Sequence, residues 1–152
     1  VDVPGPPTSA ALRGAGWVEA AILVAAASGP DAAVVSPAGA SARARLDDRG
    51  IRVEVTCGQA LDETVLRSYC IGAAHMAYSW VTSESLAVSA DGEIHDLTVR
   101  SFGIVRAADM PHVEVTVVPS DADPVNGSDA VFAAVAAAAW AGRRHAPVWP
   151  TG

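Results

Sequence analysis

IRVEVTCG, residues 51–58, alternates without a break: Ile51, Val53, Val55 and Cys57 point one way, Arg52, Glu54 and Thr56 the other. A period of two with branched aliphatics on the apolar side marks a strand buried on one face only. Such a strand belongs to a sheet with one face covered and one face wet. The cover starts a few residues on. LRSYCIGAAHMAYSWVTSE, Leu66–Glu84, reads as one long helix, opened by Asp62 and Glu63 where carboxylates meet the positive end of the helix dipole. Ser68, His75, Ser79 and Thr82 fall within one face of it at 3.6 residues per turn. Gly72, Ala73, Ala74 and Ala77 keep much of it thin, so another backbone or a flat ligand can come close.

Upstream, Val1–Ser9 holds Pro4, Pro6 and Pro7 and reads as an extended arm, leaving residues 10–152 as a single domain. Ser9 is placed to cap a helix over Ala10–Ala27, which SGP at 28–30 stops. Ala33–Ser36 reads as a short strand, and the turn-rich SPAGASARARLDDRG after it runs toward an edge strand. Downstream, ESLAVSADGEIHDLTV is a hairpin that pairs Leu86–Val88 with Glu93–Leu97 around Asp91-Gly92. An irregular crossing leads to a strand at Val113–Val118, ended by Pro119. After a polar loop, Ser128 or Asp129 caps a last helix, Ala130–Trp140, and Gly142 ends it. Strands and helices are partly segregated and the hairpin demands antiparallel pairing. The expected fold is therefore α+β, a mixed or antiparallel sheet with helices packed on one face.

Composition narrows the chemistry. With 152 residues, 51% hydrophobic and 18% charged, the chain has the make-up of a folded globular domain. All ten basic residues are arginine, so no lysine can form a Schiff base or act as a base. A net charge of −7 with scattered arginines argues against nucleic acid and anionic membranes as partners. WVEAAILVAAAS, Trp17–Ser28, contains Glu19 and lacks a basic leader; AVFAAVAAAAWAG, Ala130–Gly142, is shorter than the roughly 20 residues a bilayer span needs. Both read as buried helices. Cys57 and Cys70 form no Cys-x-x-Cys pair and read as reduced thiols in a cytoplasmic protein.

Catalytic motifs are few. His75, His95, His112 and His145 show no zinc spacing, so no metal site is expected. Cys70 and His75 lie five residues apart on one helix and point different ways, which removes a thiol–imidazole pair. Asp121, Asp123 and Asp129 crowd the last loop as candidate carboxylates. No phosphate-cradling glycine loop and no nucleophile elbow is present. The polar face of the long helix supports two readings: a pocket built on His75 and Ser79, or buried groups satisfied by neighbouring backbone.

From Ile51 onward the chain resembles the C-terminal part of the molybdopterin-binding large subunit of the xanthine dehydrogenase/aldehyde oxidase family. TCGQALDE stands where that family has DCGxxxNP, and SYCIGAAHMAYSWVTSESL where it has GQIEGGxxMGLGYALSEEL. DGEIHDLTVRSFGIVRAADMPHVEV is similar to DGxIxNxxLxDYxIPRAxDxPxIEV, and FAAVAAAAWAGRR to AIANAIFxATGxR. The resemblance implies that family's fold. It also exposes departures. Tyr69 replaces the glutamine that meets the pterin, and Ile71 replaces a glutamate. The family's catalytic glutamate loop is shortened to PVNGSDAVF, where Ser128 or Asp129 falls nearest. An aspartate is one methylene shorter, and a misplacement of ~1 Å can cost about 100-fold in rate.

The implied function is a domain that completes a split molybdenum hydroxylase and is not active alone. The molybdenum cofactor would arrive through a larger partner chain, with none held by this chain by itself. The alternative is a fragment repurposed for non-redox binding, catalysis or assembly. Under either, the expected pocket draws Cys57 from the strand end, Tyr69, His75 and Ser79 from the long helix, and Asn126, Ser128 and Asp129 from the last loop. His75 is the acid/base candidate, since imidazole titrates near pH 6.5, and Asp129 the second. Asn126 and the amides opening the last helix would hold an anionic oxygen. Trp140, Trp149 and the APVWP tail suggest an apolar surface and hence an oligomer.

Overall fold

The computed structural model describes residues 10–95, 98 and 101–151. The expected arm at 1–9, its Ser9 cap and the hairpin residues 96 and 97 lie outside the described residues. The described residues form three α-helices, α1 (Ala10–Ser28), α2 (Glu63–Thr82) and α3 (Ser128–Gly142). The strands are β1 (Val34–Val35), β2 (Ser41–Asp47), β3 (Gly50–Thr56), β4 (Ala87–Val88), β5 (Ile94–His95) and β6 (Val113–Val117). A 3₁₀ turn covers Ala107–Asp109.

The main sheet runs β1-β2-β3-β6. β1 pairs β2 and β2 pairs β3 antiparallel; β3 pairs β6 in parallel, Ile51 opposite Val113 and Val55 opposite Val117. The fold is thus α+β with a mixed sheet. Its antiparallel half comes from the tight β2–β3 hairpin, where Asp47 pairs with Gly50 and the Asp47 carboxylate accepts the Arg49 N–H at 3.0 Å. The β4–β5 hairpin forms a separate two-stranded sheet and leaves the main one untouched. A parallel neighbour needs a crossover, and α2, that hairpin and the crossing segment together supply it.

Period-two patterning holds on β2 and β3. Ala42, Ala44, Ile51, Val53 and Val55 are buried, while Arg43, Arg45, Arg52 and Glu54 face solvent. Arg45 pairs with Asp31 and Arg52 with Asp47 on this wet face. All three helices lie on the other face. α3 sits between the sheet and α1, so Ala130, Val131, Ala133, Ala134, Val135 and Ala136 are all buried. A helix apolar all round requires cover on both sides. α2 closes the layer beside it through Cys70, Ala73, Ala74, Ala77 and Val81.

Two local expectations are revised. α3 starts at Ser128, with Gly127 as its cap and no side-chain capping bond; Asn126 Oδ1 instead accepts the Ser128 N–H at 2.9 Å, a local asparagine turn. The two tryptophans of the expected apolar surface are packed against the fold. Trp149 stands edge-on to Trp80 at 4.9 Å and to Trp140 at 5.7 Å. The Thr151 N–H donates to the Val81 carbonyl at 2.9 Å. Trp140 Nε1–H donates to the Ala146 carbonyl at 2.8 Å. The tail is strapped onto the ends of α2 and α3, with Val148 left exposed.

Candidate functional site

β3 ends at Thr56, and the chain turns sharply at Gly58, whose φ is +77°. A Cβ there would overlap the Asp123 carbonyl oxygen, so only glycine lets the strand end and the last loop meet. Gln59 N–H donates to the Ala122 carbonyl at 2.9 Å and Val125 N–H to the Cys57 carbonyl at 3.0 Å, knitting the two loops together. Asp62 then caps α2, its carboxylate accepting the Val65 N–H at 3.0 Å. Arg67 pairs with Glu63 at 2.5 Å and donates to the Val115 carbonyl, which ties the first turns of α2 to β6.

These contacts frame an open cleft of about 470 Å³. Cys57, Tyr69 and Asn126 line it, joined by Gln59, Asp62 and Leu66. Its remaining walls are aliphatic, from Leu61, Val65, Pro124 and Val125. Ser128 and Asp129 are not part of it. They edge a different groove, between α1, α2 and α3. His75 and Ser79 line neither.

His75 and Ser79 bracket one peptide of the crossing segment. Ser79 is fully buried, and its Oγ accepts the Val105 N–H at 2.9 Å. His75 Nε2–H donates to the Val105 carbonyl at 2.7 Å, which fixes the ring tautomer. Ser83 Oγ donates to the Gly103 carbonyl at 2.5 Å, and Thr82 Oγ1 donates to Tyr78 one turn back at 2.7 Å. Of the polar line read on this helix, His75, Ser79 and Thr82 thus bond backbone, while Ser68 stays exposed.

The cleft is electrically quiet. Burial pushes the Cys57 thiol above its ordinary range. Burial first, and the neighbouring Cys57 second, push Cys70 up to about 11, with Arg67 opposing. Both sulfurs therefore stay protonated near neutrality and are poor nucleophiles. Asp62 is committed to its cap. Gln59, Tyr69 and Asn126 offer neutral donors and acceptors. Among the described residues no group of three or more His, Cys, Asp or Glu is placed to hold a metal ion, and no helix is long and apolar enough to cross a membrane.

No family model and no curated protein matches the chain. Solved structures do. A reconstituted CO dehydrogenase from Oligotropha carboxidovorans aligns with a TM-score of 0.53 at 11% identity, over 62% of this chain and 13% of that one. A Cu,Mo-CO dehydrogenase in the carbon monoxide reduced state gives 0.54 at 11%, over 64% and 14%. Quinoline 2-oxidoreductase from Pseudomonas putida 86 gives 0.51 at 15%, over 70% and 16%. At these identities the likeness is one of fold. The chain spans less than a fifth of the length of each of these three proteins.

A molybdenum cofactor, implied by that fold, does not fit this cleft by itself. Molybdopterin is anionic, yet no lysine, arginine or histidine lines the cleft, and its one charged group is the Asp62 carboxylate. No lining residue is placed as a free general base either: the Cys57 thiol is protonated and Asp62 is engaged.

Proposed function

We propose that the chain is one part of a split molybdenum hydroxylase, closing a wall of a site whose cofactor a larger partner chain holds. The observation that carries this is the unfinished cleft: a strand end, a helix start and a loop converge on it, but it lacks the cations and free base that cofactor chemistry requires. The fold agrees, since it corresponds to 13–16% of much longer oxidoreductase chains. In this reading Tyr69, Gln59 and Asn126 contact the partner or its bound cofactor as neutral hydrogen-bonding groups. Leu61 and Val65 are the apolar rim that the partner covers.

Co-expression with a large molybdopterin-binding chain from the same organism is the direct test. A stable complex containing molybdenum is expected, with oxidoreductase turnover across a substrate panel in the complex and none in either chain alone. Tyr69→Ala should lower that activity while leaving the isolated domain folded. Molybdenum and turnover in the isolated chain would sink the proposal, as would failure of the two chains to associate.

A second reading rests on the same neutral lining. Three uncharged polar side chains among aliphatic walls suit a small uncharged ligand. Saturable binding of such a ligand to the isolated domain, abolished by Asn126→Ala, would favour a repurposed non-redox module.

A further inference from the structure

Carboxylates outnumber arginines in this chain 17 to 10, so arginines left without a partner side by side stand out. Among the described residues Arg45, Arg52, Arg67 and Arg106 each pair with a carboxylate. Arg49 and Arg143 do not. Both are exposed, and neither guanidinium has a partner among the described residues. They nevertheless face one pocket. It lies where the β2–β3 turn, the start of β6, the last turns of α2 and the end of α3 meet. It measures about 410 Å³, and Arg49, Arg143, His112 and Tyr78 line it together with Asp47 and Asp48.

Backbone contacts hold the frame of this pocket. A Cβ on Gly50 would fall 2.2 Å from the His112 carbonyl oxygen, so glycine lets the turn lie against the start of β6. Ile51 N–H donates to that same carbonyl at 2.8 Å. Asp47 is engaged twice, by the Arg49 N–H and by the Arg52 guanidinium. Two free guanidiniums therefore meet one free carboxylate, Asp48, and the pocket keeps a positive excess within a chain of net charge −7. Charges more than roughly 10 Å away are screened at ordinary salt, so the local excess decides what is attracted. Bare carbonyls at the end of α3 would oppose an anion, but those of Trp140 and Ala141 already accept N–H groups from Arg143, Arg144 and His145.

We propose that this pocket binds the phosphate group of a small phosphomonoester. A carboxylate has two oxygens and is satisfied by one guanidinium fork. A phosphate group offers three, enough for forks from two sides and for the His112 imidazole or the Tyr78 hydroxyl besides. Tyr78 and Pro111, both half-buried, give the rest of the ligand an apolar wall. Gly50 opens β3 and Cys57 follows its end, so this pocket and the cleft of Cys57, Tyr69 and Asn126 lie at opposite ends of one strand, roughly 20 Å apart. They share no lining residue. The phosphate site therefore stands apart from the proposed function and can fail or hold without it.

Titration of the full chain at constant ionic strength, followed through backbone amide NMR shifts, tests this. Phenyl phosphate should give saturable shifts centred on residues 48–50, 112 and 143. Inorganic phosphate should bind the same place more weakly, and acetate and chloride should not saturate it. Arg49→Gln and Arg143→Gln should each weaken phenyl phosphate binding about tenfold, and Asp48→Asn should strengthen it. All three side chains are exposed, so the fold should survive, which circular dichroism checks. Shifts that never saturate, or that spread equally over Arg43 and Arg45 on the sheet face, would overturn the proposal. So would acetate or inorganic phosphate binding as tightly as phenyl phosphate, or an affinity indifferent to either arginine substitution.

Discussion

Ser79 has no water to fall back on. It is fully buried and is the acceptor for the Val105 N–H, so Ser79→Ala leaves that amide without a partner. The expected cost is about 1–3 kcal/mol in urea unfolding, with faster hydrogen exchange at Val105; a loss under half of that would contradict the role. Cys70 makes a different prediction. Its folded thiol, at about 11, holds its proton after an unfolded thiol near 9.0 has released it. Its contribution is thus complete below pH 9 and is lost as pH rises through 11, roughly 2 kcal/mol in all. Urea midpoints should fall over that window, and Cys70→Ala should flatten the fall. A thiol reagent should label neither cysteine in the folded protein at pH 7.5 and both after unfolding. Arg144 is strained, with φ of +55° just past α3. Arg144→Gly should stabilise by about 1 kcal/mol, seen as a higher melting temperature. At this scale the sequence revealed the residue types and not their partners. Nothing in SFGIVRAADM is periodic, so the landing of Val105 on His75 and Ser79 had no signature to read. Cys57, Tyr69 and Asn126 share a cleft because the strand-to-helix turn and the last loop meet at Gly58. Gln59 and Leu66, which join them there, went unnoticed because an uncharged loop amide and a helix leucine carry no chemical flag.

Elements stand or fall by their ends. Asp62→Ala removes the α2 cap and should cost about 1 kcal/mol. Gly58→Ala should cost more, about 3 kcal/mol, because the new methyl group meets backbone in a conformation L-residues avoid. If thermal melts rank these two substitutions the other way, the strand end is not held as described. α2 and β3 were legible because each carries a strict period, 3.6 or 2, set by burial on one face. The β2–β3 hairpin was not, since Asp48-Arg49 lacks the usual turn glycine and Gly50 follows one place later. α3 began two residues earlier than its apolar run because Gly127, with no side chain, does the capping.

At the scale of the molecule, the class of fold was readable and the wiring was not. A one-sided strand, two buried helices and a hairpin imply a sheet with helices on one face. They do not say that the hairpin stands apart, or that β3 and β6 run parallel. Parallel pairing leaves no local trace, because the partners are 62 residues apart at Ile51 and Val113. That separation has a consequence for how the molecule can be altered. The connection is long already, and lengthening it at Asp91-Gly92 adds closure entropy only logarithmically, about 0.6 kcal/mol even for a doubling. The fold should accept a foreign peptide spliced in at that bend, where residues 90–93 are exposed, and keep its melting temperature within a few degrees.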